Sequence, residues 1–333
     1  MQKIEDFLNQ SHYQELYEIY TSDEWAKDNV TKTTRKWCEK NNIGYNDNIR
    51  RKASTILSKG FSDELVTQES FSDQHQAKIL IYDLETSFIE YRGFSLYPNF
   101  ISHKNITKDW NILSFSAKWL FKDEIISFGL TPEEALAGDD SRIVKELWKL
   151  FDEADITVAH NLVKFDNRKS NARFLKHNLF LPSHYKMIDT LQHARRIFAL
   201  TSNRLDYIAT FLGIPGKLEN SEGLWHKVME GDAEAMKQMI EYNEQDVRLL
   251  EEVYLKLRPY MRNHVNMNLF VADDVSVCPT CGGHDLDWDL KTEYITNVNK
   301  YTTFRCNTCK SLGRSRTPLK LSTKNLTVPI AGN

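Results

Sequence analysis

Ile79-Leu-Ile-Tyr-Asp83-Leu-Glu85-Thr86 is the stretch on which the fold turns. Four large apolar residues lead into two carboxylates spaced two apart, so 79–83 reads as a short buried β-strand that runs out into charge. A period of two sends Asp83 and Glu85 to one side of a sheet and Leu84 to the other. Like charges buried side by side are unfavourable unless a cation neutralises them. D-x-E after an apolar strand therefore hints at a metal site, although acidic residues are also ordinary in loops that follow strands.

Outward from this strand, short apolar runs alternate with amphipathic ones. Residues 112–120 and 124–129 read as a strand pair turning around Phe121-Lys-Asp. Residues 141–151 read as a helix with Ile143, Leu147 and Leu150 on one face, 156–160 as a strand and 167–177 as a helix. A helical stretch over 231–257 carries Met236, Met239, Ile240, Val247, Leu250, Val253 and Leu257 as its stripe. This order predicts an α/β domain over 78–262 with a mixed sheet flanked by helices.

Two further segments carry chemistry. In Ala159-His-Asn-Leu-Val-Lys-Phe-Asp166 a strand ends, a loop carries Asn161, and Asp166 stands at the start of a helix, where a capping role is the plain alternative. In Tyr242-Asn-Glu-Gln-Asp246 the phenol and the carboxylate are four apart on one helical face, which an ordinary surface pair would also explain.

Taken in order, Asp83-Leu-Glu85, Asn161-Leu-Val-Lys-Phe165-Asp166 and Tyr242-Asn-Glu-Gln-Asp246 resemble the three motifs of the DEDD (DnaQ-like) 3′→5′ exonucleases. These motifs are D-x-E, N-x-x-x-F-D and Y-x-x-x-D, and the family has an RNase H-like fold. Tyr242, where another subgroup has His, makes the chain similar to the tyrosine type (DEDDy). Ser116-Ala-Lys-Trp119, Asp189-Thr-Leu191 and Leu205-Asp-Tyr-Ile-Ala209 add to the resemblance. It implies hydrolysis of phosphodiester bonds with two Mg²⁺ or Mn²⁺ ions, which hard oxygen ligands favour. It further implies Asp83 as a bridging ligand, Glu85 and Asp246 on one metal, and Asp166 acting on the second through water. Tyr242 would orient the attacking water, since a phenol of pKa near 10 is a poor base at neutral pH. Thr86, His160 and Asn161 are implied substrate contacts, and Asp189 is either a support behind the site or a helix cap.

Toward the C-terminus, Cys278-Pro-Thr-Cys281 and Cys306-Asn-Thr-Cys309 form C-x₂-C-x₂₄-C-x₂-C. Four thiolates suit one tetrahedral Zn²⁺, so 270–325 is expected to be a small zinc ribbon with a basic tail; redox disulfides are the alternative. Asp285, Asp287 and Asp289 alternate with Leu286, Trp288 and Leu290, as in a strand with one wet face. Cys38 is left over as a buried free thiol.

The chain has 333 residues and a net charge of −3, with 41% hydrophobic and 27% charged residues. Gly and Pro together number only 21, which excludes a fibrous or linker-dominated chain. No apolar run approaches the roughly 18 residues of a membrane span, and the charged N-terminus shows no secretory signal. A cytoplasmic location follows (host cytoplasm if the protein is viral), and the build fits a phage or bacterial nuclease. The near-zero net charge conceals segregation: 31–59 carries +6 and 291–324 carries +7. Residues 1–60 read as short helices with the outline of a helix-turn-helix, its basic helix carrying Arg50, Arg51 and Lys52; a plain helical cap is the alternative. Residues 61–77 read as a linker. The expected partner is nucleic acid, DNA favoured and RNA admitted, with no membrane and with room for a replication or repair protein. Two rivals share these features: a binding protein whose nuclease fold has lost activity, and the proofreading subunit of a separate polymerase.

Overall fold

The computed structural model describes residues 18–19, 30–41, 77–95, 100–215, 222–271 and 276–319. The chain divides into two compact units, residues 1–76 and 77–333. In the first, α1 (Val30–Lys40) falls on the helix expected over 31–40, and Thr34, Trp37 and Cys38 are buried along it. Burial pushes the Cys38 thiol up, as for an inert core cysteine. The rest of the helix-turn-helix outline, with Arg50, Arg51 and Lys52, lies outside the described residues, as does the linker except Ala77.

The second unit begins with β1 (Ile79–Thr86), a small hairpin of β2 (Glu90–Tyr91) and β3 (Ile106–Lys108), β4 (Ile112–Trp119) and β5 (Ile126–Gly129). Helices α2 (Pro132–Ala137) and α3 (Ser141–Glu153) follow, then β6 (Ile156–Ala159), α4 (Asp166–Lys176) and β7 (Lys186–Asp189). Four helices complete it: α5 (Thr190–Ile197), α6 (Leu205–Phe211), α7 (Leu224–Met229) and the long α8 (Ala233–Leu257). The five-stranded sheet has the order β5-β4-β1-β6-β7, antiparallel across β4 and parallel across β6. This is the mixed sheet flanked by helices that the sequence pattern predicts.

As the middle strand, β1 is covered on both faces, which is why it is apolar at every position until the carboxylates. Leu80, Tyr82 and Leu84 join a core with Ile143, Leu147, Phe151 and Phe174 from α3 and α4. Ile79 and Ile81 join the other core with Val247, Leu250, Val253, Tyr254 and Leu257 of α8. The alternation therefore turns Asp83 and Glu85 toward α8. Two charge clusters fix the helices on this sheet. Lys118 of β4 pairs with Glu251 of α8, which also accepts the Phe121 N–H at 2.9 Å. Asp140 accepts from Arg173 and His177 and from the Ile112 N–H, tying α3, α4 and β4 together where an unpaired charge would be costly.

The cysteine module is a small antiparallel sheet around β10 (Lys300–Cys306), with β8 (Leu286–Asp287), β9 (Glu293–Ile295) and β11 (Leu312–Arg314) beside it. Trp288 packs on Phe304 with ring centroids 4.7 Å apart. The far end of the Phe304 ring also abuts Gly313, where an added Cβ would stand 2.0 Å from Cζ, so any larger residue there must displace the ring. Asp285, Asp287 and Asp289 are exposed, as the alternation predicts. The module is bonded to the core beyond α8, through Met267 N–H to the Pro279 carbonyl and Val277 N–H to Asn268 Oδ1. Among the described residues no helix is long and apolar enough to cross a membrane.

At this junction the Tyr254 hydroxyl lies 2.8 Å from His264 Nε2, and His264 Nδ1 donates to the Val265 carbonyl at 2.7 Å. That tautomer leaves Nε2 as an acceptor, and burial pushes His264 down to about 4. An unfolded His titrates near 6.5. A depressed folded value means that stability is complete above about pH 6.5 and is lost as pH falls toward 4. His264→Gln keeps an acceptor for Tyr254 but cannot take up a proton. Its melting temperature should therefore fall less than that of the wild type between pH 6.5 and 4; parallel melting curves would refute the assignment.

Candidate active site

Three carboxylates meet where α8 crosses the C-terminal half of β1. Asp83, Glu85 and Asp246 each offer an oxygen, and these oxygens all lie within 4.8 Å of one another. Asp83 and Glu85 are half-buried and Asp246 is buried, so their mutual repulsion is only weakly screened by water. Asn243, one helical turn before Asp246, donates its amide to Asp83 Oδ2 at 2.6 Å and fixes that carboxylate in place. Such a trio of hard oxygen donors fits a divalent cation of the Mg²⁺ or Mn²⁺ kind.

Asp166 stands apart from the trio, at the first position of α4. It is buried at 2% exposure, its Oδ2 has no hydrogen-bond partner among the described residues, and burial raises it to about 7. The charge of Asp189 pushes in the same direction, while backbone N–H groups at Asp166 and Leu84 oppose it. A buried carboxylate oxygen without a hydrogen-bond donor fits a cation ligand.

The loop between β6 and α4 is held from β7. Asp189 accepts the N–H groups of Asn161 and Val163 through its two oxygens, and caps α5 through the Gln192 N–H. It is thus both a helix cap and a clamp on the loop. Asn161 sits at φ +81°, a left-handed conformation that asparagine tolerates far better than branched residues. His160 is turned inward: Nε2 donates to the Asn203 carbonyl at 2.8 Å and Nδ1 faces the Thr190 hydroxyl at 2.9 Å. Its ring is committed to the fold, and burial pushes its pKa down, so it stays neutral. Tyr242 is buried with its ring edge-on to Trp225. Thr86 is half-buried at the end of β1.

The sequence pattern did not single out Asn243 or Trp225. Asn243 carried a signal, since it interrupts the apolar i, i+4 stripe of α8 between Met239 and Val247. No pattern marked Trp225, which reaches the site from α7.

In the C-terminal module, Cys278, Cys281, Cys306 and Cys309 gather their four sulfurs within 4.8 Å. The Cys278–Cys309 and Cys281–Cys306 sulfurs are 3.7 and 3.6 Å apart. Tetrahedral coordination with metal–sulfur bonds of 2.3 Å puts sulfurs about 3.8 Å apart, so the cage fits Zn²⁺. Gly283 N–H and Cys309 N–H donate to the sulfurs of Cys281 and Cys306, as expected around thiolates.

A family model described as RNase_H superfamily matches residues 122–258. The chain carries an RNase H-like domain. The match takes in Asn161, Asp166, Tyr242 and Asp246, and it begins after Asp83 and Glu85. This is a fold of nucleases, which in RNase H-like form work with divalent metals. No curated protein matches the chain. Among solved structures it is similar to the family B DNA polymerase from the hyperthermophilic archaeon Pyrobaculum calidifontis. That similarity has 16% identity and a TM-score of 0.40, over 55% of this chain and 25% of the polymerase. The chain thus spans about a quarter of the polymerase's length.

A carboxylate raised to about 7 makes a prediction for stability. The unfolded group titrates near 3.9, so the cost of ionising Asp166 in the fold grows as pH rises from about 4 to about 7 and is complete above that. In metal-free buffer Asp166→Asn should melt higher than the wild type at pH 8, and the gain should fade by pH 4. An equal or lower melting temperature at pH 8 would show that Asp166 is not held in an apolar position.

Proposed function

We propose that the protein is a metal-dependent 3′→5′ exonuclease that hydrolyses phosphodiester bonds of DNA, or of RNA. The observation that carries this reading is the meeting of Asp83, Glu85 and Asp246 oxygens within 4.8 Å on one face of the central strand. The direction of attack rests on the resemblance of the three ordered motifs to the tyrosine-type DEDD exonucleases. Asp83, Glu85 and Asp246, with Asp166 on a second ion, would hold two Mg²⁺ or Mn²⁺. Bound there, such ions supply Lewis-acid activation of water and neutralise charge on the scissile phosphate.

The chain's own groups do the rest. Asn243 keeps Asp83 in one rotamer. Tyr242 orients the attacking water through its hydroxyl while Trp225 holds its ring. Asp189 presents the Asn161 loop, from which the Asn161 side chain contacts the substrate, with Thr86 at the end of β1 as a further contact. Cys278, Cys281, Cys306 and Cys309 hold one structural Zn²⁺, without which a module this small has too little core to fold. Arg305, Lys310, Arg314 and Arg316 then present positive charge to phosphates, with the 1–60 helices as a second nucleic-acid module. A proofreading subunit of a separate polymerase would use the same site. A catalytically inactive binding protein has no reason to keep three repelling carboxylates together.

Digestion of an end-labelled oligonucleotide with Mg²⁺ or Mn²⁺ and with chelator tests the chemistry. Asp83→Ala and Asp246→Ala should each lower turnover by several orders of magnitude while oligonucleotide binding stays measurable. Tyr242→Phe should lose about a hundredfold in rate with metal binding intact, the scale of one positioning or proton-transfer contribution. Near wild-type turnover in both alanine variants would falsify the site. For zinc, elemental analysis of protein purified without chelators should give about one atom per chain, and Cys278→Ser should lose it while the α/β core still melts cooperatively. Protein free of zinc but fully folded would contradict the cage.

A further inference from the structure

The second unit has a cavity that the carboxylate site does not use. It holds about 190 Å³ and is lined by His193, Arg196 and Ile197 of α5 together with Arg262 and Asn263. Arg262 and Asn263 belong to the segment that leads from α8 to the cysteine module. Among the described residues no carboxylate lines the cavity. Every other group with charge or hydrogen-bonding capacity on its wall is a donor or can serve as one: two guanidinium forks, an imidazole and an amide. Neither guanidinium forms a hydrogen bond or an ion pair among the described residues.

Arg196 and Arg262 are both exposed, so water screens their like charges, and no side-chain anion among the described residues on the wall offsets them. Arg196 has a local reason to be there, because cations are favoured in the last turn of a helix. That reason does not reach Arg262, which lies outside any helix and is turned to the same cavity. The carbonyls at the end of α5 oppose an anion with about half a charge, which two full guanidinium charges outweigh. Planar forks at a concave surface match the oxygens of a phosphate, and guanidinium is less strongly hydrated than ammonium, so the exchange of water for phosphate is easier.

We propose that this cavity binds a phosphate group through Arg196 and Arg262, with Asn263 and His193 as neutral donors. The position suggests which phosphate. Helix α5 starts at Asp189, the clamp on the Asn161 loop, and ends at the cavity, about 12 Å further on at 1.5 Å per residue. The far side of the cavity is the path to the basic ribbon. The ligand is accordingly a backbone phosphate of a nucleic acid chain, away from the bond being cut. This assignment rests on the exonuclease reading; the phosphate site itself does not.

The test uses the full chain, without added divalent metal, and a labelled single-stranded oligonucleotide titrated at several salt concentrations. Arg196→Ala/Arg262→Ala should weaken binding and lower the slope of log affinity against log salt by about 0.7, the value for one phosphate contact on a single strand. In a second arm, inorganic phosphate should raise the melting temperature of the wild type and not of the double variant, whose melting without phosphate checks its folding. A third arm keeps the two readings separate. With Mg²⁺ the double variant should cleave a dinucleotide like the wild type, because its one internucleotide phosphate belongs in the carboxylate site. If phosphate protection is lost while the salt slope is unchanged, the cavity holds free phosphate or a mononucleotide and the backbone assignment is overturned. If neither changes, the phosphate site is overturned whatever the nuclease assays give. If the wild type binds phosphate at the cavity but cleaves nothing, the exonuclease reading fails and the site stands.

Discussion

Repulsion between Asp83 and Glu85 is the constraint around which the molecule is arranged. Both leave the same face of a buried central strand, and α8 brings Asp246 against them. A fold that gathers three negative charges under a helix needs something to hold them there. Asn243 restrains Asp83 directly. The Lys118–Glu251 pair and a continuous apolar contact from Val247 to Leu257 press α8 onto the sheet. On the opposite face, Leu84 and the aromatic group of Tyr82, Phe151 and Phe174 give the strand a backing that keeps it from sliding. The site is thus supported by packing whose strength does not depend on its own unfavourable electrostatics.

Helix α8 also joins the two metal-binding arrangements. Asp246 lies near its middle, and Tyr254 and Arg258 at its end stand beside His264 and the segment bonded to Pro279 of the cysteine module. Arg258, just past the end of α8, lies twelve positions after Asp246, about 18 Å along the axis. A rigid element of that length sets the distance between the carboxylates and the ribbon. A nucleic acid engaged at both would be held in a fixed register.

Much of this was legible before any coordinates. The strand expected over 79–83 shows as an unbroken apolar run because it is covered on both faces, and the helix at 233–257 carries a period of 3.6 because it packs along its length. The resemblance of the three ordered motifs brought together Asp83, Glu85 and Asp246, and the paired C-x₂-C spacing brought together the four cysteines. Other features had no such signal. The hairpin of β2 and β3 has exposed or half-buried residues throughout and therefore no apolar alternation. The edge strand β7 has two exposed and two buried residues, too few to show a period. Helices α5 to α7 are six to eight residues long, too short to show a period, and only α5 has a side-chain cap, from Asp189. The inward turn of His160 depends on Asn203, forty-three residues away. The opposing Arg196 and Arg262 meet only because α5 and the segment after α8 fold together.

The central claim is that the carboxylate trio cuts nucleic acid from a 3′ end with divalent metal. Its most direct test offers the protein one single-stranded DNA sequence in linear and circularised form, with Mg²⁺, and follows product lengths with time. The account predicts that the linear strand labelled at its 5′ end shortens one nucleotide at a time and that the circle stays intact. Cleavage of the circle, or a linear strand untouched in Mg²⁺ and in Mn²⁺, would contradict it.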